Sequence, residues 1–305
     1  MSFLSAMNLL SAMPRPVSWL AGLVLLALFP ACSRVSDAPI DNLSGGRIFV
    51  MGHAGSGFES ALNPFPPNTL TSIRKTLEGF NADGIEIDIQ LSHDSTLILY
   101  HDGTLESMTE CTGYIYDQPA SAVTACRYRT DFNSHILQDE RVLLLTDILE
   151  RYKGSVLEPR FDFDLKLPEG PGLSIEVVRA QFARRLAAVV NHYGLLNRVN
   201  FMSPDAGLLL AIRRELPTAR VILDSNDFEP AFAALRRDNL TGIVAGYDAF
   251  SADQIRQLHA AGKEVTLYKV ILRSEILEAV NKNPDAIQTD NIPLLQQILS
   301  ARYGH

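Results

Sequence analysis

The sequence predicts an α/β fold, specifically a TIM (β/α)8 barrel with a small insertion after a hairpin that begins at the second strand. Eight short apolar segments resemble buried strands and alternate with amphipathic segments at helical spacing. Such alternation is typical of parallel strands joined by helical crossovers, and eight strands close a barrel. The chain has 305 residues, which is enough for one barrel of about 250 residues. A doubly wound open sheet is the main alternative, but no glycine-rich dinucleotide fingerprint follows the first strand.

The chain begins with an apolar run that predicts export. Residues 17–32, VSWLAGLVLLALFPAC, follow Arg15, which is the only charged residue before Arg34. A basic start followed by a short apolar core is typical of a secretory signal segment, whereas a membrane-spanning helix needs about 20 apolar residues. We expect residues 1–31 to be a lipoprotein-type signal segment and Cys32 to carry the lipid; a plain signal peptide and an uncleaved anchor are the alternatives. The predicted location is the cell envelope, with a lipid anchor in the membrane and the protein facing the periplasm.

The remaining elements follow in order. Residues 32–46 are polar and contain Pro and Gly, so they are interpreted as a tether, and the barrel is expected at 47–302. The first helix is predicted at 68–77, with Asn68 or Thr69 as its N-cap. The eight strands are predicted at 47–51, 84–91, 161–165, 198–202, 220–223, 242–245, 264–270 and 285–289. Further helices are predicted between them, for example at 175–193, 204–216 and 252–261.

The composition restricts the class of partner. The hydrophobic fraction of 47% and the charged fraction of 20% are those of an ordinary globular protein. The formal net charge is -8 and the sequence contains no basic stripe. Because nucleic-acid binding needs clustered positive charge to displace counterions, we expect no nucleic-acid partner.

Two acids on the second strand indicate a cation site. Glu86 and Asp88 lie two residues apart, so on a strand their side chains point to the same face. Two carboxylates in one small space repel each other unless a cation lies between them, and their hard oxygens suit Mg²⁺ or Ca²⁺. For an isolated pair, the solvent-facing side of an edge hairpin is the usual explanation. Here His53 and His101 also end strands, and FDFDLK (161–166) repeats the acid-bearing pattern, so several strand ends carry reactive groups.

Five segments together resemble the glycerophosphodiester phosphodiesterase family, whose members are TIM barrels of the phospholipase-C-like phosphodiesterase superfamily. The segments are His53-Ala54-Gly55, Asn68-Thr69-Leu70, DGIEIDIQLSHDSTLILYHDGTL (83–105), FDFDLK and AIQTDNI (286–292). The resemblance covers residues 47–299. Its most specific part is the Glu-x-Asp followed by a His-Asp pair that begins thirteen residues after the Asp.

The resemblance implies a phosphoric diester hydrolase that cleaves glycerophosphodiesters, small-molecule substrates, to an alcohol and glycerol phosphate. It implies that His53 and His101 form the acid and base pair, and a histidine pKa near 6.5 suits both tasks near neutral pH. It further implies that Lys166 contacts the substrate phosphate. The implied ligands of the one divalent cation (Mg²⁺ or Ca²⁺) are Glu86, Asp88 and Asp164.

The sequence departs from the family pattern at four positions. Ala54 stands where the family usually has arginine, and Pro67 stands where it usually has glutamate. Asp164 replaces the more frequent glutamate and in this respect resembles the spider-toxin-like phospholipase D branch. Tyr268 replaces the usual tryptophan. Two alternatives therefore stay open, namely a phospholipase-D-like enzyme on intact lipids and a non-catalytic envelope binding lipoprotein with a degenerate site.

Residues 102–146 fit the insertion that the family carries between the hairpin and the next barrel helix. Cys111 and Cys126 lie within it. An even pair of cysteines in an exported protein favours a disulfide, and two buried thiols are the alternative. We expect the insertion to overhang the mouth of the barrel and to restrict which head group enters.

Overall fold

The β-sheet of the computed structural model closes on itself. The structure describes residues 39–58, 63–129, 139–168 and 173–303. Strand β1 (Phe49–Gly52) pairs in parallel with β2 (Gly84–Leu91) on one side and with β10 (Ala286–Thr289) on the other. The other parallel strands of the barrel are β5 (Arg160–Leu165), β6 (Val199–Ser203), β7 (Arg220–Asp224), β8 (Gly242–Gly246) and β9 (Glu264–Val270). The predicted eight-stranded barrel is confirmed, and no predicted strand end differs from the observed one by more than two residues.

Two short antiparallel strands extend the sheet outward from β2. Strand β3 (Leu97–Leu99) pairs with β2, and β4 (Leu143–Leu144) pairs with β3. The helices are α1 (Leu70–Arg74), α2 (Ala120–Val123), α3 (Leu145–Tyr152), α4 (Ile175–Tyr193), α5 (Ala206–Glu215), α6 (Phe228–Arg237), α7 (Ala252–Ala260), α8 (Arg273–Asn281) and α9 (Ile292–Tyr303). Helix α1 continues as a π-helical turn at Lys75–Gly79.

The start of α1 decides between the two residues that were predicted as its N-cap. The Thr69 hydroxyl accepts a hydrogen bond from the Ser72 backbone N–H, so Thr69 is the N-cap. Asn68 has a φ of 60°, which places its backbone in the left-handed region where asparagine is tolerated better than most residues. Asn68 is therefore free to bond elsewhere, and its side chain turns to β2.

The alternation along β2 sorts its residues between two environments. All eight residues of this strand are buried. Ile85, Ile87 and Ile89 belong to the main apolar cluster, which also contains helix residues such as Phe182. Glu86 and Asp88 instead line a cavity inside the barrel mouth. The explanation of these two acids as the solvent-facing side of an edge hairpin is therefore wrong, because both faces of β2 are covered.

The insertion and the end of β3 share a small apolar cluster that is separate from the main one. Its described part contains two 3₁₀ turns, Leu105–Ser107 and Ile115–Asp117, and helix α2. Buried residues of the cluster include Tyr100, Val123 and Tyr128. A disulfide joins Cys111 to Cys126, with their Cα atoms 5.7 Å apart. The last residues of the predicted insertion already form β4 and the start of α3, so the main barrel resumes slightly earlier than expected.

The amino-terminal predictions fall largely outside the described residues. These predictions are the signal segment, lipidation at Cys32 and the first part of the tether. The described end of the tether is attached to the barrel, because the Asn42 side-chain amide donates hydrogen bonds to the carbonyls of Arg47 and Pro284, both at 2.8 Å. In the portions of the chain that the structure describes, no helix combines the length and apolarity that a membrane crossing requires.

Candidate active site

Three carboxylates converge at the carboxyl ends of β2 and β5. Asp88 and Asp164 are register partners on these neighbouring strands, and Glu86 precedes Asp88 by two residues on the same face. The potential ligand oxygens of the three residues all lie within 4.8 Å of one another. Glu86 is 3% exposed and Asp88 is 2% exposed. The three predicted metal ligands are therefore brought together, and Glu86 and Asp88 are shielded from solvent.

The electrostatics of this cluster call for a cation. Burial, followed by the charges of Asp88 and Asp164, raises the pKa of Glu86 well above its ordinary value. Burial also raises the pKa of Asp164, although Lys166 opposes this effect. Within the described structure, Glu86 Oε1 and Asp164 Oδ1 are buried and have no hydrogen-bond partner. Unpartnered carboxylate oxygens at this spacing fit a hard divalent cation such as Mg²⁺ or Ca²⁺.

The loop after β1 and the start of α1 hold two of these acids in place. The Ala54 backbone N–H donates to Glu86 Oε2 at 2.6 Å. The Asn68 side-chain amide donates to Asp88 Oδ2 at 2.8 Å, and its carbonyl oxygen accepts the Asp88 backbone N–H at 3.0 Å. A Cβ on Gly52 would lie 2.0 Å from the Gly55 carbonyl oxygen, so the chain folds back so tightly after β1 only because that residue is glycine. These contacts fix the acids before any ligand arrives.

Lys166 supplies a positive charge beside the acids. Its Nζ lies 2.5 Å from Asp164 Oδ2 and 3.3 Å from Asp88 Oδ1. Burial lowers the pKa of Lys166, but the charges of Asp88 and Asp164 outweigh burial and raise it above its ordinary value. The ammonium group therefore stays charged at neutral pH and lies where it can meet a phosphate anion.

Two histidines line the same cavity, and a carboxylate orients each of them. His53 Nδ1 lies 2.7 Å from Asp290 Oδ1, and His101 Nδ1 lies 2.6 Å from Asp102 Oδ1. The Phe58 ring packs against both imidazoles, with centroid distances of 5.3 Å to His53 and 5.2 Å to His101. Because Nδ1 of each ring is engaged by a carboxylate, Nε2 is the nitrogen available for proton transfer.

The two orienting carboxylates were not predicted as site residues. Burial lowers the pKa of His53, but the hydrogen bond and the charge of Asp290 outweigh burial and raise it above the ordinary value. Asp290 lies 237 positions from His53 in the chain, so no local pattern pairs the two residues. Asp102 directly follows His101, and the His-Asp dipeptide itself could have indicated this partner.

The sequence reasoning also missed an acid on the far side of the cavity. Asp224 is the last residue of β7 and lines the cavity together with Met202, Val244, Tyr268 and Gln288. Burial, with a contribution from the Asp164 charge, raises the pKa of Asp224 to about 6. Its signal in the sequence is the same as that of Asp164, an acid at the carboxyl end of an apolar strand.

Comparison with known proteins identifies relatives of this architecture. The model of the Glycerophosphoryl diester phosphodiesterase family matches residues 59–294. A glycerophosphodiester phosphodiesterase of Caldanaerobacter subterraneus is 26% identical over 167 residues, which cover 52% of this chain and 64% of that protein. The chain spans less than two thirds of the length of the first curated relatives that it matches, since a Bacillus subtilis protein, YqiK, is matched over only 36% of its length.

Solved structures share the fold. A glycerophosphoryl diester phosphodiesterase structure from Silicibacter pomeroyi superposes with a TM-score of 0.73 and 20% identity, covering 83% of this chain and 93% of that one. An Oleispira antarctica phosphodiesterase, solved with the product sn-glycerol-3-phosphate, superposes with a TM-score of 0.72 and 20% identity. That superposition covers 83% of this chain and 96% of the Oleispira chain. At 20% identity these similarities show the shared barrel fold alone.

Proposed function

We propose a function from one premise: the chain belongs to the glycerophosphoryl diester phosphodiesterase family. On this premise the protein is a phosphoric diester hydrolase that converts glycerophosphodiesters to an alcohol and glycerol phosphate with the help of one divalent cation. The observation that carries the proposal is the shared cavity, where three carboxylates that fit a cation face two histidines, each oriented by its own carboxylate.

The cation site and Lys166 meet the charge requirement of the reaction. Negative charge develops on the phosphate oxygens in the transition state, and preorganised positive charge stabilises it. A divalent cation held by Glu86, Asp88 and Asp164 would supply most of that positive charge. The Lys166 ammonium adds to it from the edge of the acid cluster.

The histidines meet the proton requirement. In the proposed reaction one imidazole Nε2 takes the proton from the attacking hydroxyl of the substrate glycerol, and the other donates a proton to the departing alkoxide. The cyclic phosphate formed in this way is opened by water, with the two histidines exchanging roles. The carboxylates of Asp290 and Asp102 support these transfers because each orients its imidazole, and the Asp290 charge also stabilises the imidazolium form of His53.

A turnover assay tests the proposal. Purified protein is incubated with glycerophosphocholine and, separately, with a chromogenic phosphodiester, in Mg²⁺, in Ca²⁺ and in excess chelator, and the released alcohol and glycerol phosphate are measured. We expect turnover to require the divalent cation. We expect Glu86→Gln to lower turnover because it weakens cation binding. Turnover that survives exhaustive chelation contradicts the metal assignment. If no phosphodiester is hydrolysed with any cation, the protein is instead a binding protein with a degenerate site. If only intact phosphatidylcholine is cleaved, with release of choline, the result favours the phospholipase-D-like alternative, which Asp164 supports.

We also propose that the protein is exported and anchored by lipid at Cys32. The apolar run behind Arg15 supports a signal segment, and the Cys111–Cys126 disulfide fits an oxidising compartment. Mass spectrometry of the mature amino terminus decides the proposal. We expect a lipid-modified Cys32 as the first residue, and an intact Met1 or an unmodified start elsewhere excludes the lipoprotein.

A further inference from the structure

We propose that Asp224 and Tyr268 form a subsite for a positively charged alkylammonium group of the substrate. This inference rests on the proposed function and deepens it, because it names the kind of phosphodiester that the cavity selects. The two residues lie on β7 and β9, across the barrel mouth from the acids of β2 and β5. A substrate whose phosphate sits beside those acids can therefore extend a substituent toward Asp224 and Tyr268.

The Asp224 carboxylate faces the cavity without a partner of its own. Among the described residues, no hydrogen bond or ion pair reaches it, and Lys166 acts on it only through the longer-range attraction of its charge. Burial therefore disfavours its charged form, and its pKa of about 6 reflects that cost. At neutral pH the Asp224 carboxylate is still ionised in most molecules, and a cationic ligand would stabilise this half-buried charge.

Tyr268 provides the aromatic face of the subsite. It is the register partner of Gly246 on β8. Its hydroxyl accepts a hydrogen bond from the Asn226 side-chain amide at 3.4 Å, and Asn226 Oδ1 in turn accepts the Gly246 backbone N–H at 2.8 Å. The ring also packs with Met202 and Val244, so its position is fixed. An aromatic face beside a carboxylate is a combination that recognises ammonium and quaternary ammonium groups.

The charge of the whole cavity favours the same class of ligand. Four carboxylates line it, and one ammonium, that of Lys166, offsets them. With a divalent cation bound and one histidine protonated, as the proposed reaction requires, these charges would cancel. A phosphodiester adds one more negative charge, which a positively charged substituent would cancel.

The experiment compares two substrates that differ in one charge, glycerophosphocholine and glycerophosphoglycerol. We measure kcat/KM for both with the metal-loaded wild-type protein and with the Asp224→Asn variant. We expect the wild type to prefer glycerophosphocholine and the ratio of the two kcat/KM values to fall about tenfold in the variant. Tyr268→Leu should lower the ratio about threefold or more, whereas Tyr268→Phe, which keeps the ring, should preserve it.

Two controls separate a local contact from a general charge effect. Asp248→Asn removes the same charge from an exposed loop that follows β8 and does not line the cavity, so it should leave the ratio unchanged. Tetramethylammonium chloride should inhibit hydrolysis of glycerophosphoglycerol competitively, beyond an equal concentration of sodium chloride, in the wild type but not in Asp224→Asn. An unchanged ratio in Asp224→Asn, or equal inhibition of both proteins, overturns the subsite while leaving the proposed function intact. If the wild type hydrolyses neither substrate with any divalent cation, both the proposed function and the subsite are wrong.

Discussion

Replacing Lys166 with methionine should destabilise the protein in chelator and make it respond more strongly to a divalent cation. The substitution keeps most of the side-chain volume but removes the only ammonium that contacts Asp88 and Asp164 among the described residues. The side chains of Asp88 and Asp164 are 3% and 17% exposed, and the side chain of Lys166 is 28% exposed. Water therefore cannot replace the lost partner at Asp88.

The structure sets the size of the expected loss. Removing one partner of a fully buried ion pair costs about 3–5 kcal/mol, because an uncompensated charge stays in the interior. Since the side chains of Lys166 and Asp164 are partly exposed, the lower end, about 3 kcal/mol, is expected. In a domain of this size about 1 kcal/mol lowers Tm by about 2–4 °C. The expected decrease in Tm is therefore about 6–12 °C.

Thermal unfolding followed by circular dichroism measures the effect, first in chelator and then with increasing Mg²⁺ or Ca²⁺. In the variant no ammonium competes for Asp88 and Asp164, so each cation should raise its Tm more than it raises that of the wild type. Lys153→Met is a matched control, because Lys153 pairs with Glu150 at 3.8 Å on the exposed surface; it should cost below about 1 kcal/mol. A Lys166→Met protein that unfolds within 2 °C (roughly the control's shift) of the wild type in chelator refutes the reasoning.

Three further outcomes follow from the site and the insertion. His53→Ala and His101→Ala should each lower kcat about 10²–10⁴-fold and leave cation affinity, measured by calorimetry, nearly unchanged; a variant with full activity contradicts the assigned role. Asp290→Asn removes the charge that raises the pKa of His53, so the corresponding limb of the pH profile of kcat/KM should move to lower pH, and a shift to higher pH contradicts the pairing. The double substitution Cys111→Ser, Cys126→Ser opens a loop of 15 residues and should lower the free energy of unfolding by about 3 kcal/mol; reductant should destabilise only the wild type.

The predictable parts of the fold were those that depend on patterns among residues close together in the sequence. Alternation along β2 placed Glu86 and Asp88 on one face, and the buried strand then directed that face into the barrel. The bounds of α4 follow from a helical pattern that Gly194 ends in the left-handed region, with a φ of 65°. The π-helical turn after α1 was not predicted, because nothing in its composition distinguishes it from an ordinary helical turn.

The parts of the site that could not be predicted depend on contacts between distant positions. Asp162 illustrates this, since the sequence places it in the same FDFDLK segment as Asp164. The structure buries its carboxylate beneath the cavity, where the amides of Asn200 and Gln288 donate to it at 2.8 and 2.9 Å. The pairing of β5 with β6 places Asn200 beside Asp162, and the closure of the barrel brings Gln288 to it from β10. The role of Asp162 as a supporting residue therefore cannot be deduced from the segment alone.

The contacts of Ala54, at the position where the resemblance predicts an arginine, show that the cation site does not need that side chain. The Ala54 backbone N–H donates to Glu86 Oε2, and Ala54 adopts a left-handed backbone with a φ of 46°. Asn68, whose backbone N–H donates to the Ala54 carbonyl at 2.8 Å, orients Asp88 from the same loop. The cation site therefore depends on backbone geometry that this chain retains. An alanine at this position is therefore compatible with the arrangement of the three predicted ligands.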